Sequence, residues 1–191
     1  DAKTTLDYFK RQDVDIKIIS GDDPVTVSAI ARRCHLLNYE HYIDVSSLSD
    51  EQIKEAIEKY TIFGRVSPKQ KQLMVNALQE NNHTVAMTGD GVNDVLALKA
   101  ADCSIAMASG SDAAKSASHI VLLKNNFNAM PHIVNEGRRV INNITASASM
   151  YLIKTIFSVV LSIGMILFGH GYPFKPIQLT VISACCVGIP T

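Results

Sequence analysis

The stretch Thr84-Val85-Ala86-Met87-Thr88-Gly89-Asp90-Gly91-Val92-Asn93-Asp94 decides the reading of this chain. An apolar, β-branched run ends on Thr88 and passes into a loop with two glycines. Gly89 and Gly91 allow a sharp turn and close backbone approach to a ligand. Asp90 sits at the strand end and Asp94 four residues later, at the start of the next helix. That spacing brings two carboxylates toward one point, where a hard cation such as Mg²⁺ takes one or two carboxylates together with waters and a phosphate. A lone Asp-Gly is more often a turn, and an acidic residue at a helix start is favoured by the helix dipole. The full Gly-Asp-Gly-x-Asn-Asp pattern after an apolar strand favours the functional reading.

Outward from this loop, strand-like and helix-like segments alternate. The expected strands are Val14–Ile19, Tyr42–Val45, Thr61–Gly64, Thr84–Thr88, Cys103–Met107 and His119–Leu123. Helices are expected at Thr4–Arg11, after Asp23-Pro24 with Asp23 as N-cap, and after the capping boxes Ser49–Gln52 and Ser67–Gln70. A further short one is expected over Ser111–Ala117. Val25, Ala29 and Ile30 share one face of the second helix. Ile53, Ala56 and Ile57 point inward from the third; Leu73, Met74, Ala77 and Leu78 do so from the fourth. Such alternation predicts an α/β fold, a mostly parallel Rossmann-like sheet with helices on both faces. Ligands of these folds bind at the carboxyl ends of the strands. That rule selects three loops: Ser20–Asp23, Arg65–Lys71 and Thr88–Asp94.

In Ser20-Gly21-Asp22 a hydroxyl and free amides at a helix start suit a phosphate, although a cap and turn explains part of the motif equally well. Lys71 falls in a first helical turn, where the dipole disfavours a cation. It is either a solvated lysine or one that reaches a phosphate through charge-assisted hydrogen bonds.

Charge is unevenly distributed along the 191 residues. Lys plus Arg number 18 and Asp plus Glu 18, so the net charge is zero and nucleic acid is not an expected partner. From Val140 to Thr191 the charged side chains are Lys154 and Lys175 alone. Tyr151–Gly169 would span roughly 28 Å as a helix, close to a bilayer core. A Gly/Pro turn over residues 169–176 leads to a second apolar run, so the tail predicts a membrane hairpin. Arg138 and Arg139 place its entry on the cytoplasmic side. The second run is short for a full crossing, so the sequence is expected to be a piece of a longer protein. Cys34, Cys103, Cys185 and Cys186 are too few and too irregular for a disulfide framework, consistent with a reducing compartment.

The set Ser20-Gly21-Asp22, Arg65-Val66-x-Pro68-x-x-Lys71 and Met87–Asp94 followed by Ala97-Leu98-Lys99 resembles the phosphorylation domain of P-type ATPases. These are cation pumps with a haloacid-dehalogenase-like core. Val95-Leu96, where the family usually has Ala-Pro, and Ser109–Ala114 downstream resemble a bacterial, calcium-pump-like branch. The resemblance implies a C-terminal part of the phosphorylation domain over 1–125 and a helical stalk over 126–150. It implies transmembrane helices over 151–169 and, truncated, over 177–191. It also implies roles. Asp90 would ligate Mg²⁺, and Asn93 and Asp94 would complete that site and orient the phosphate, Asp94 counting also as a metal ligand. Lys71, Ser20 and Gly21 would bind the transferred phosphoryl group. Asp22 and Arg65 would contact ATP, with Thr88 and Gly89 in the same cofactor site. The family's nucleophile, in an Asp-Lys-Thr-Gly-Thr motif, does not occur here, so this piece alone is expected to form no aspartyl-phosphate. Its implied partners are the bilayer of the cell membrane, ATP, a transported cation such as Ca²⁺, and the rest of the same pump polypeptide.

Where acidic or amide ion ligands are usual in the family, this tail has Val159, Ser183, Cys186 and Val187. The remaining polar candidates are Lys154, Thr155, Ser158, Ser162, Thr180 and Ser183. Lys154 is either functional or snorkels to the interface. Cys185 and Cys186 read as small buried thiols rather than soft-metal ligands. Two other classes compete with the pump: a soluble phosphatase of the same superfamily, which would not need the apolar hairpin, and a non-catalytic module binding Mg²⁺ and phosphate.

Overall fold

The computed structural model describes residues 2–169 and 174–184. They divide into two units, residues 1–131 and 132–191. The first unit alternates helices and strands: α1 (Ala2–Lys10), β1 (Ile18–Ile19), α2 (Pro24–Arg33), β2 (Tyr42–Asp44), α3 (Asp50–Lys59), β3 (Ile62–Gly64), α4 (Pro68–Glu80), β4 (Ala86–Gly89), α5 (Val95–Ala100), β5 (Cys103–Met107), α6 (Asp112–Ala117) and β6 (Ile120–Leu122). Every strand pairing is parallel.

The six strands form two sheets of three, in the orders β1-β3-β2 and β4-β5-β6. In the first sheet Ile18 lies opposite Ile62, and Ile43 opposite Phe63. Successive strand residues face opposite ways, so Ile62 and Phe63, both fully buried, enter different cores. Ile62 packs with Val27, Ala31 and Leu36 beside α2. Phe63 packs with Val45, which follows β2, and with Ile53, Ile57, Met74 and Ala77 from α3 and α4. Helix α4 also turns Val75 toward Ala97 and Ala101, with Val85 and Met87 alongside. It therefore buries side chains against both sheets, and its first turn is held between them.

Local signals set the helix starts. Asp23 Oδ2 accepts the Val25 amide, with Pro24 at the first helical position. Ser49–Gln52 and Ser67–Gln70 form reciprocal capping boxes. Ser111 caps α6 by accepting from the Ala114 amide. The inward face of α2 differs from expectation: Val25 and Ile30 are exposed, whereas Pro24, Val27, Ser28 and Ala31 are buried. Only the packing partner, Ile62, selects between two apolar stripes on so short a helix. Strand β1 is also shorter than the apolar run before Ser20, covering Ile18 and Ile19. On α4, Val75 joins Met74 and Ala77 in the core, while Leu73 and Leu78 pack at its margin.

Helix α7 (Met130–Leu167), which lies in the second unit from His132 onward, is one uninterrupted helix of 38 residues, roughly 57 Å long. Its apolar portion makes it long and apolar enough to cross a membrane, by length and composition. Helix α8 (Pro176–Ser183) follows. Lys154 of α7 donates to the Ser183 hydroxyl of α8. Thr155 and Ser162 donate to the carbonyls of Tyr151 and Ser158 one turn back, and Ser183 donates to Leu179. The expected turn at residues 170–173, and Cys185, Cys186 and Val187 with the rest of the second apolar run, lie outside the described residues.

Gly64 closes β3 against the start of α2: a Cβ there would stand 2.4 Å from Pro24 Cδ. Gly64→Ala is therefore expected to destabilise the first unit by about 1–3 kcal/mol through forced overpacking. The readout is a lowered urea midpoint with an unchanged m-value.

Candidate phosphate and cation site

The three selected loops leave the carboxyl ends of β1, β3 and β4. The first two are stitched together by their backbones. Ser20 N–H donates to Phe63 O (2.9 Å), Val66 N–H to Ser20 O (3.0 Å) and Arg65 N–H to Asp22 O (2.8 Å). Ser20 Oγ in turn accepts the Asp22 amide at 3.1 Å and donates to the Asp22 carboxylate at 3.4 Å. The loop is a hydroxyl-closed turn, with Gly21 and Asp22 exposed. A Cβ on Gly21 would meet nothing nearer than Val66 O at 3.9 Å, so that glycine is not demanded by packing.

The second and third loops meet through one ion pair. Lys71 Nζ stands 2.6 Å from Asp94 Oδ1, with side-chain exposures of 12% and 10%. Asp94 is the one ionisable residue that is buried among the described residues. Its other oxygen, Oδ2, accepts the amides of Gly91 (3.1 Å) and Asp90 (3.3 Å). The unfavourable placement of an ammonium in the first turn of α4 is thereby offset by a charge-assisted bond. A Cβ on Gly89 would lie 2.6 Å from Asp94 Cβ, so Gly89 is required for Asp94 to turn inward.

Of the two carboxylates expected to share a cation, Asp94 is buried and Asp90 exposed. Asp94 spends both oxygens on protein donors. Asp90 is exposed at the loop tip, leaving its carboxylate to meet a cation from solvent. Among the described residues no group of three or more His, Cys, Asp or Glu side chains could hold a metal. A single exposed carboxylate is a donor set that fits Mg²⁺, which keeps most of its waters and takes one or two carboxylates, and does not fit a metal that needs an all-protein cage. Asn93 and Thr88 are exposed on the same loop; Thr88 and Gly89 belong to β4 and Asn93 to the 3₁₀ turn Val92–Asp94.

Two contacts fall outside the sequence expectations. Gly110 and Ser111 lie against the Asp90 backbone. The Ser111 amide donates to Asp90 O at 2.8 Å, and a Cβ on Gly110 would come 2.7 Å from that oxygen. The Ser109–Ala114 signature was the available signal. Arg65, expected near a nucleotide, contacts Asp23 at 3.2 Å and Asp44 at 3.4 Å. Nothing in the sequence pattern pairs Asp44 with Arg65.

With this geometry in view, the comparisons define a class. The haloacid dehalogenase-like hydrolase family model matches residues 1–102, and the chain belongs to that family. Among individual proteins, the "probable cation-transporting ATPase exp7" of Streptococcus pneumoniae is 49% identical over 197 residues, covering 99% of this chain and 25% of that protein. The calcium-transporting ATPase CtpE of Mycobacterium bovis is 47% identical over 205 residues, covering all of this chain and 25% of its own length. The chain thus spans about a quarter of the curated relatives it matches. A solved zinc-transporting PIB-type ATPase shares the fold, with a TM-score of 0.75 at 22% identity over 98% of this chain and 26% of its own. The catalytic domain of the CPx-ATPase CopB-B matches 70% of this chain and 44% of its own, with a TM-score of 0.55 at 26% identity.

Removing Lys71 strands a buried carboxylate. Lys71→Met is expected to cost about 3 kcal/mol, the low end for a broken buried pair, because Asp94 keeps two amide donors. The double variant Lys71→Met/Asp94→Asn should recover most of that loss in a chemical-denaturation series, whereas additive losses would show that the two residues do not act as a pair.

Proposed function

We propose that this chain is part of an ATP-driven cation pump that works through an aspartyl-phosphate, and that it supplies the phosphate and Mg²⁺ site and part of the membrane pathway. The observation that carries this reading is the Lys71–Asp94 pair, held against the Asp90–Gly91 amides at the carboxyl ends of the strands. The pair ties the Lys71 ammonium to the loop whose tip carries the exposed Asp90. The relatives, cation- and calcium-transporting ATPases at 46 to 49% identity, and the apolar helix α7 favour a pump over a soluble phosphatase.

In this reading Lys71 binds the transferred phosphoryl group and neutralises its charge, and Asp94 orients Lys71. Ser20 Oγ and the Gly21 amide donate to the same phosphate. Asp90 holds Mg²⁺, and Asn93 orients the phosphate beside it. Bound there, Mg²⁺ would supply charge neutralisation to the phosphate oxygens. Asp22 and Arg65, with Thr88 and Gly89, contact ATP. Positioning and charge neutralisation suffice for this chemistry, since phosphoryl transfer demands little else of the protein. The nucleophilic aspartate, the nucleotide-binding and actuator parts and further membrane helices belong to the rest of the polypeptide. The cell membrane is the setting, with the first unit in the cytoplasm, and Ca²⁺ is the proposed cargo.

In sealed vesicles carrying the full-length protein, Ca²⁺ should stimulate ATP hydrolysis and accumulate in an ATP-dependent manner. Asp90→Asn should lower turnover on the order of 10²-fold or more. Wild-type turnover in Asp90→Asn would remove the Mg²⁺ assignment, and stimulation by another cation without Ca²⁺ uptake would remove the cargo.

A further inference from the structure

Arg65 has an unusual backbone. Its φ of +55° lies in the left-handed region, which a non-glycine residue adopts at an energetic cost. Its side chain is more than half exposed, so burial does not repay that cost. Surface ion pairs contribute little to stability, so stability alone is a poor account of the two carboxylates that engage it.

Those carboxylates are built alike. Asp23 Oδ2 accepts the Val25 amide at 3.1 Å, and its Oδ1 faces Arg65 Nη2 at 3.2 Å. Asp44 Oδ1 accepts the Ser46 amide at 2.9 Å and the Ser46 hydroxyl at 2.6 Å, while its Oδ2 faces Arg65 Nη1 at 3.4 Å. Each carboxylate is fixed through one oxygen by a donor two residues on and offers the other to a separate guanidinium nitrogen. Asp23 follows β1, Asp44 ends β2 and Arg65 follows β3. Two strand tips therefore grip one planar group carried by the third, and the Arg65 amide is tied to Asp22 O as well. The Ser46 bonds, ahead of Arg65 itself, hold the Asp44 carboxyl below its ordinary value. A guanidinium has five donors, and two carboxylate oxygens leave others for a ligand.

We propose that Asp44, anchored by Ser46, is a positioning residue that works with Asp23 to hold the Arg65 guanidinium in a fixed plane for the nucleotide. The inference rests on the proposed contact between Arg65 and ATP. It adds that this contact is pre-set before nucleotide arrives, through a carboxylate that itself touches no substrate. Arg65→Lys is not equivalent, because a single ammonium cannot bridge the two carboxylates.

The test uses the full-length ATPase and compares Asp44→Asn, Arg65→Ala and the double variant. Asp44→Asn is expected to raise KM for ATP about three- to tenfold, with kcat within about twofold of wild type. Arg65→Ala is expected to raise KM at least as far, and the double variant no further than Arg65→Ala alone. Ser46→Ala, which keeps the carboxylate and loses one of its anchors, should move KM in the same direction by less and guards against a fold defect in Asp44→Asn. If Arg65→Ala leaves KM unchanged, the nucleotide contact fails and this inference with it. If Arg65→Ala raises KM while Asp44→Asn does not, lowers it, or adds fully in the double variant, the positioning role alone is overturned.

Discussion

The Asp94 carboxylate is the joint on which the first unit's site depends. One oxygen meets the Lys71 ammonium and the other takes two consecutive amides of the Asp90 loop. A buried charge is tolerated only when its lone pairs are occupied by strong donors, and here all three donors come from the loops that must be held still. The consequence runs backward into sequence. Gly89 has no Cβ because Asp94 fills that space, and Lys71 sits in a helical first turn because Asp94 is there to meet it. Helix α4 transmits the arrangement to the rest of the unit, since Met74 and Ala77 anchor it in one core and Val75 in the other. The tip of a helix clamped between two sheets is a stiff place from which to present an ammonium.

Most of the local structure was legible because it rests on short-range chemistry. Capping boxes at Ser49 and Ser67, the Asp23-Pro24 helix start and the apolar strands leading to Ser20 and Gly89 are decided within a few residues. What escaped was decided by partners distant in sequence. The inward face of α2 depends on Ile62 of β3. The division into two sheets depends on which strand edges find neighbours: among the described residues β1 pairs only with β3, and β4 only with β5. The candidate site divides in the same way. Its candidate members were picked out by motif and topology. The inward turn of Asp94 and the grip of Asp44 on Arg65 are contacts across 23 and 21 positions, which no spacing rule encodes.

The second unit obeys a different accounting of polar groups. In an apolar helix a hydroxyl is satisfied most cheaply by its own backbone, and Thr155, Ser162 and Ser183 all donate one turn back. Their protons are spent, but their oxygen lone pairs are not, which is the polarity a cation needs. At Ser183 one of the two lone pairs is taken by Lys154, so on the proposed reading the ammonium competes at this position with a transported ion.

This constrains where cation binding can come from. A Ca²⁺ site needs six to eight oxygens, usually including carboxylates, and no Asp or Glu occurs between residues 140 and 191. Hydroxyls and carbonyls of α7 and α8 can contribute coordination but no negative charge, and Lys154 adds a positive one. If this segment lines the path of a divalent ion, neutralising charge must be supplied by chain outside it. On the proposed reading, the selectivity of the pump is then written mainly elsewhere, and this chain is the part that handles phosphate.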